Sequence, residues 1–255
     1  MYTYKISLLG RDIGYTQSPR IHSAIAKALG VAIDFDVCDV TFDKLEAAVK
    51  DLLSGSYGFF VTRPYKTEVA KIIHSGVNSV NVVRCEDRMA YNSDGIGLVH
   101  ALDRNFPDWN KNVNGVLVLG AGGAASSVAE MLTVMGKDVY VLNRTAMRAA
   151  RLCSATGARL YVNQPCELIV NCTSVGANGE DILKNLCVLP SFDYAFDLIY
   201  SPEVTPFMRR CGDAGAKTAN GFDMLIYQAI EGDKFLFMSD SDTERVFEQV
   251  KQILG

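Results

Sequence analysis

The chain has 255 residues, 49% of them hydrophobic and 21% charged, with a formal net charge of −4. That length fits one large domain or two ordinary ones with a sizeable core. The acidic balance argues against nucleic acid or an anionic membrane surface as the main partner. No apolar run reaches the roughly 18 residues of a spanning helix. The start turns polar too soon for a signal peptide, so a cytoplasmic, bacterial-type setting is expected.

Strand-like and helix-like segments alternate from end to end. "YKISLLG" reads as a strand. "SPRIHSAIAKALG" reads as a helix with Ser18 as cap, Pro19 at its first position and Gly30 as its stop. "IDFDVCDV" is an alternating strand, and "TFDKLEAAVKDLLSG" a helix capped by Thr41. "GFFVTRPYKTEVAKII" reads as a short strand followed by Thr62 and Pro64 opening a helix. Two short strands follow, "SVNVVR" and "RMAY", then a helix from Ser93. A candidate domain boundary lies near Asp94 to Asn112, where "RNFPDWNKNVNG" is polar and turn-rich.

The second half repeats the rhythm. "NGVLVLG" and "GGAASSVAEMLTVMG" make a strand and helix, as do "DVYVLN" and "TAMRAARLCSATG". "ELIVNCT" and "YAFDLIY" are further strands, and two helices close the chain. Such alternation implies parallel sheets covered on both faces. The expected fold is therefore α/β, with the last two helices packing back on the first half.

Seven cysteines, Cys38, Cys85, Cys153, Cys166, Cys172, Cys187 and Cys211, make an odd count with no C-x-x-C spacing. Neither a disulfide framework nor a zinc ribbon fits. His22, His74 and His100 are far apart, follow no metal-ligand spacing and have no visible partner in the sequence.

Gly120-x-Gly122-x-x-Ala125 follows an apolar strand directly and opens a helix. That is the dinucleotide fingerprint in its G-x-G-x-x-A form, as against a plain glycine turn. An NAD site would place an Asp or Glu about twenty residues on, at the end of the next strand. Here that strand ends in Asn143-Arg144-Thr145, with Arg148 close behind. Two guanidiniums and a hydroxyl suit a 2′-phosphate, so the cofactor reading is NADP(H). The bland alternative is a pair of solvated arginines at a helix start.

Lys66 falls in the first turn of its helix, where the macrodipole disfavours a cation. An exposed lysine there is often without a role. Asp94, just before the cofactor domain, is a second candidate, and the two would meet if the two sheets face each other across a cleft. A lysine held between a positive helix end and a carboxylate can pass a proton, which would explain its position.

These residues carry a resemblance that runs nearly end to end. The chain resembles the shikimate dehydrogenase family. The family's S-x-S-P-x-I-H is matched by Thr16 to His22, its V-T-x-P-x-K by Val61 to Lys66, and its V-N by Val80-Asn81. N-T-D-G is matched by Asn92 to Gly95, and G-A-G-G-A-A and N-R-T recur at 120–125 and 143–145. N-x-T-x-x-G is matched by Asn171 to Gly176, and G-x-x-M-L-x-x-Q by Gly221 to Gln228.

The resemblance implies a two-domain architecture. An N-terminal α/β substrate domain (1–95, joined by 222–255) would accompany a Rossmann-like, doubly wound NADP-binding domain (96–221). It implies reversible, NADP-dependent reduction of 3-dehydroshikimate to shikimate in aromatic amino acid (chorismate) biosynthesis, by an enzyme acting as monomer or homodimer, with no nucleic acid or membrane partner. Lys66 and Asp94 would be the catalytic pair, and no metal is required. Thr16, Ser18, Thr62, Asn81, Tyr200 and Gln228 would hold the substrate. Gly120, Gly122, Gly123, Ala124, Asn143, Arg144, Thr145, Arg148, Thr173, Gly221 and Met224 would hold the cofactor.

The chain departs from the family where Phe60 replaces an asparagine that contacts substrate hydroxyls. Arg63 stands at an otherwise apolar position, and Thr16 replaces a serine. Strand alternation would point Phe60 the same way as Thr62, toward substrate. A quinate or aminoshikimate dehydrogenase, and a non-catalytic NADPH-binding regulator, are the alternatives.

Overall fold

The computed structural model of the protein describes residues 2–14, 16–185 and 192–255; Cys187 lies outside them. The chain forms two compact units, Met1–Gly97 with Ile226–Gly255, and Leu98–Leu225.

The first unit is built on β1 (Thr3–Gly10), α1 (Ser18–Leu29), β2 (Ala32–Asp39), α2 (Leu45–Gly55), β3 (Gly58–Val61), α3 (Lys66–Ile72), β4 (Val82–Arg84) and β5 (Ala90–Tyr91). Its sheet has the order β2-β1-β3-β4-β5. β1 lies between two parallel partners and is buried from Ile6 onward, apolar there except for Ser7, as befits an inner parallel strand. β2 is an edge strand and alternates. β4 and β5 pair antiparallel, so this sheet is mixed and not the all-parallel one expected. The short connection from β4 to β5 allows only a hairpin.

One face of this sheet packs Leu9, Phe59 and Val61 against Leu45, Val49 and Val69 of α2 and α3. The other packs Ile6, Leu8, Phe60 and Val82 with Leu236 of a late helix, α9 (Phe222–Phe237). Phe60 is thus a core residue, 3% exposed. The expectation that it faces substrate is corrected: the apolar surface of that helix covers its side of the strand.

Three helix starts also differ from expectation. Gln17 occupies the cap position of α1, so Ser18 is inside the helix. Thr41 opens a 3₁₀ turn, Phe42–Lys44, ahead of α2. Thr62 and Pro64 belong to a turn in which Tyr65 N–H donates to Thr62 O at 3.0 Å. Tyr65 caps α3 and Lys66 is its first residue.

The second unit takes up most of α4 (Asp94–Asn105), the helix expected from Ser93. There follow α5 (Trp109–Asn112), β6 (Gly115–Leu119), α6 (Gly123–Val134), β7 (Asp138–Leu142), α7 (Ala146–Thr156), β8 (Arg159–Leu160), β9 (Leu168–Asn171), β10 (Tyr194–Asp197), α8 (Pro206–Asp213) and β11 (Lys217–Asn220). The sheet order β8-β7-β6-β9-β10-β11 is parallel throughout. In order of appearance this is 3-2-1-4-5-6, the doubly wound dinucleotide topology. Its switch point lies between β6 and β9, beside the glycine loop. α10 (Thr243–Leu254) closes the chain in the first unit. No helix of the described residues is long and apolar enough to cross a membrane.

Candidate active site

The first unit brings six of the sequence-predicted residues into two clusters. Lys66 projects from the start of α3 and Asp94 from the start of α4. Lys66 Nζ donates to both carboxylate oxygens of Asp94, at 2.8 and 2.6 Å. The two side chains are 16% and 5% exposed, so water screens the pair weakly while the amine keeps one open side. Asp94 N–H donates to Asn92 Oδ1 at 3.0 Å, which fixes the turn into the helix.

Asn81, just before β4, is buried beside them. Its Nδ2 donates to Ser93 Oγ at 2.8 Å, to Gln228 Oε1 at 3.1 Å and more weakly to Asp94 Oδ1 at 3.3 Å. Its Oδ1 accepts from Ser93 N–H at 2.9 Å. Ser93 Oγ donates to the backbone carbonyl of Gln228 at 2.7 Å. The sequence marked Ser93 only as a helix start, yet its buried hydroxyl ties α4 to α9. Its place between Asn92 and Asp94 was the available signal.

Thr16 Oγ1 donates to Ser18 Oγ at 3.0 Å and accepts from Ser18 N–H at 3.2 Å, pairing the two hydroxyls at the start of α1. Thr62 follows the end of β3, half-buried, its N–H donating to Leu9 O at 2.9 Å. Tyr200 belongs to the second unit, with its ring 6.4 Å from that of Phe222.

His22, read as lacking a partner, has one. Its Nδ1 lies 2.7 Å from Asp233 Oδ2, and the two residues are 2% and 1% exposed. Burial pushes the Asp233 carboxyl up, and the neighbouring imidazole opposes that shift. The partners are separated by 211 residues, which no local pattern can bridge.

In the second unit the glycine loop fits a dinucleotide. Gly120 adopts φ +109, and a Cβ there would fall 2.8 Å from Thr173 Cγ2, so only glycine suits the turn. A Cβ on Gly122 would meet nothing within 4 Å, which leaves open space in front of the helix. Gly122 is the N-cap of α6 and no side chain caps it. The N–H groups of Gly123, Ala124 and their neighbours are therefore available to an anion, with the helix dipole behind them.

Thr173 is held by Asn171: its N–H and Oγ–H donate to Asn171 Oδ1 at 3.0 and 2.8 Å. Asn171 Nδ2 donates in turn to Asp197 Oδ1 at 3.0 Å. Burial raises the Asp197 carboxyl to about 6 against the opposing bonds from Thr205, Ile199 and Asn171. At the end of β7, Asn143 Nδ2 donates to Thr145 O at 3.0 Å. Arg144 and Arg148 are both exposed there, on either side of the α7 cap Thr145. Gly221 packs so closely that a Cβ would fall 2.2 Å from Leu198 O, and Met224 follows it in α9.

Comparison with known proteins identifies the family. Residues 8–83 match the shikimate dehydrogenase substrate binding domain and residues 102–173 the shikimate/quinate 5-dehydrogenase family. The shikimate 5-dehydrogenase of Thermus thermophilus, solved in complex with NADP(H) and shikimate, superposes with a TM-score of 0.82 at 26% identity, covering 98% of this chain and 99% of that one. The shikimate dehydrogenase (NADP(+)) of Desulfitobacterium hafniense (strain Y51) is 28% identical over 98% of both chains. That of Buchnera aphidicola subsp. Schizaphis graminum (strain Sg) is 32% identical over 248 residues, 89% of each chain. With two matched domains in order and identity at this level across most of its length, the chain belongs to the shikimate dehydrogenase family.

Proposed function

We propose that this family member is an NADP-dependent shikimate dehydrogenase that reversibly reduces 3-dehydroshikimate to shikimate. The observation that carries the proposal is the Lys66–Asp94 pair, an ammonium held by both oxygens of one buried carboxylate. Such a lysine has a fixed direction and a proton to give.

In the reduction, Lys66 Nζ–H donates its proton to the ring oxygen as negative charge develops there, and the amine is reprotonated from water. In the oxidation, Lys66 accepts the hydroxyl proton. Asp94 holds the amine in place and balances its charge. Bound NADP(H) supplies or takes up the hydride.

Thr16, Ser18, Thr62, Asn81, Gln228 and Tyr200 would hold the carboxylate and hydroxyls of the ring. The loop at Gly120, Gly122, Gly123 and Ala124 would receive the pyrophosphate. Asn143, Arg144, Thr145 and Arg148 would receive the 2′-phosphate, and Thr173, Gly221 and Met224 would border the nicotinamide. The relatives named shikimate dehydrogenase (NADP(+)) support the same substrate and cofactor, and with them a role in aromatic amino acid biosynthesis.

The test is to follow NADPH or NADH formation with shikimate and with quinate, each with NADP and NAD. Turnover is expected with shikimate and NADP. Turnover of quinate alone, or of neither ring, would overturn the assignment.

A further inference from the structure

A buried layer lies directly beneath three of the proposed substrate residues. The His22 imidazole packs against both Phe35, at 4.8 Å between ring centroids, and Phe60, at 4.1 Å, and the two phenyl rings lie 6.4 Å from each other. Asp233 meets His22 from α9. The residue beside it, Gly232, touches the Phe60 ring so closely that a Cβ there would fall 2.6 Å from Phe60 Cε1.

Each member of this layer sits one step below a site residue. Ser18 is four residues before His22 on the same helix face. Thr62 is two residues beyond Phe60 on the same side of its strand. Gln228 is one turn before Gly232. All three steps lead to the same end of the sheet. α1 begins in the loop after the end of β1, and Thr62 follows the end of β3. Gln228 bonds Asn81, whose carbonyl accepts from Val61 N–H at that same end, at 2.8 Å.

Asp233 Oδ1 is buried with no hydrogen-bond partner among the described residues. An unsatisfied buried carboxylate oxygen is costly, and apolar replacements of buried ion pairs are often neutral or stabilising. We infer that the His22–Asp233 pair, clamped on Phe60 and Gly232, is a positioning device that sets the spacing of Ser18, Thr62 and Gln228 and thereby the affinity for the substrate ring. It acts beneath the site and touches no reacting atom. The inference rests on the substrate-binding reading proposed above.

Two variants and a conservative control test it. Gly232→Ala adds a methyl group against Phe60 at a helical position that favours alanine. His22→Leu/Asp233→Ala replaces the polar link with apolar groups. Both are expected to raise KM for shikimate at least about fivefold, since small displacements of binding groups are expensive. Their kcat and KM for NADP should stay close to wild type. Asp233→Asn keeps a hydrogen bond to His22 and should keep the wild-type KM.

A folded Gly232→Ala or double variant with KM within about twofold of wild type overturns the inference. So does an Asp233→Asn variant with KM raised as far as in the double variant. If the double variant does not fold, Gly232→Ala decides. If the wild-type protein does not turn over shikimate, the functional reading fails separately. Amide hydrogen exchange then decides: residues 18–22 and 228–232 should exchange faster in Gly232→Ala, and unchanged exchange overturns the inference.

Discussion

Gly97 lies directly against the backbone of Gln228: a Cβ at position 97 would fall 2.8 Å from Gln228 N and 2.9 Å from its Cα. The opposing atoms are main chain, so no side-chain rotation relieves the clash. This contact lets α4 and α9 approach closely enough for Ser93 Oγ to reach Gln228 O and for Asn81 to reach Gln228 Oε1. Gly97→Ala should force the helices apart at a cost of about 1–3 kcal/mol, typical of overpacking. KM for shikimate should rise with the loss of Gln228 alignment. A thermal melt and steady-state kinetics on one preparation check both effects. An unchanged melting temperature would show that the helices yield freely.

Lys66→Ala should lower kcat by roughly 10²–10⁴-fold, the usual worth of a positioned general acid–base group. It should also lose stability, because Asp94, 5% exposed, then keeps a buried charge with no cation beside it. The double variant Lys66→Ala/Asp94→Asn should recover stability and remain inactive. That split separates the two roles of the lysine. A Lys66→Ala enzyme with near-wild-type kcat would remove it from the chemistry.

Arg144 and Arg148 flank the α7 cap and are exposed. Each charge-assisted contact to a phosphate contributes about 1.5–3 kcal/mol. Replacing both with glutamine should raise KM for NADP steeply and leave the use of NAD nearly unchanged. Titrating both cofactors against the double variant checks this. Equal losses with NAD and NADP would mean that the arginines serve the fold or the pyrophosphate instead.

The parts of this site that were legible in the sequence are those fixed by neighbours along the chain. Gly120 and Gly122 announce their loop because strand, turn and helix follow within a few residues. Lys66 and Asp94 stand in short motifs, and each lies in the first turn of its helix. Helix starts were less legible: Ser18, Thr41 and Thr62 all have cap chemistry, but α1 starts one residue early, with Gln17 as its cap, and an extra turn separates Thr41 from α2 and Thr62 from α3. α8 and β11 went unread because "TPFMRRCGDAG" carries glycine and charge and "KTAN" is short and polar. The His22–Asp233 pair was hidden by sequence distance. Phe60 was misread because alternation tells which residues share a face without telling how far along the strand a covering helix extends.

Asp197 predicts a pH dependence. Its carboxyl is raised by burial from 3.8 to about 6, so the folded protein holds a proton there that the unfolded chain has lost. The associated stability is fully present below about pH 4 and is lost as pH rises through 6. A shift of about two units corresponds to roughly 3 kcal/mol. Asp197→Asn removes this titration and keeps an oxygen to accept from Asn171 and Ile199. Between pH 4 and 7 the variant should gain stability relative to wild type by an amount of this order. Denaturation midpoints of both proteins across that range measure it, and parallel profiles would refute the assignment.

Phe60→Asn introduces the residue that the family motif carries at this position, and on the strand pattern alone it should improve substrate binding. The packing argues the opposite. Phe60 is 3% exposed, with its ring between the His22 imidazole and the backbone of Gly232. Removing a buried phenyl ring costs about 3–5 kcal/mol, and an amide left there without partners adds about 1–3 kcal/mol more. A net destabilisation of at least about 3 kcal/mol is expected, which for a chain of this size is a fall in melting temperature of roughly 6–12 °C. KM for shikimate should rise, because the layer beneath Ser18, Thr62 and Gln228 has collapsed. A stable Phe60→Asn variant with lowered KM would place this side chain in the site after all.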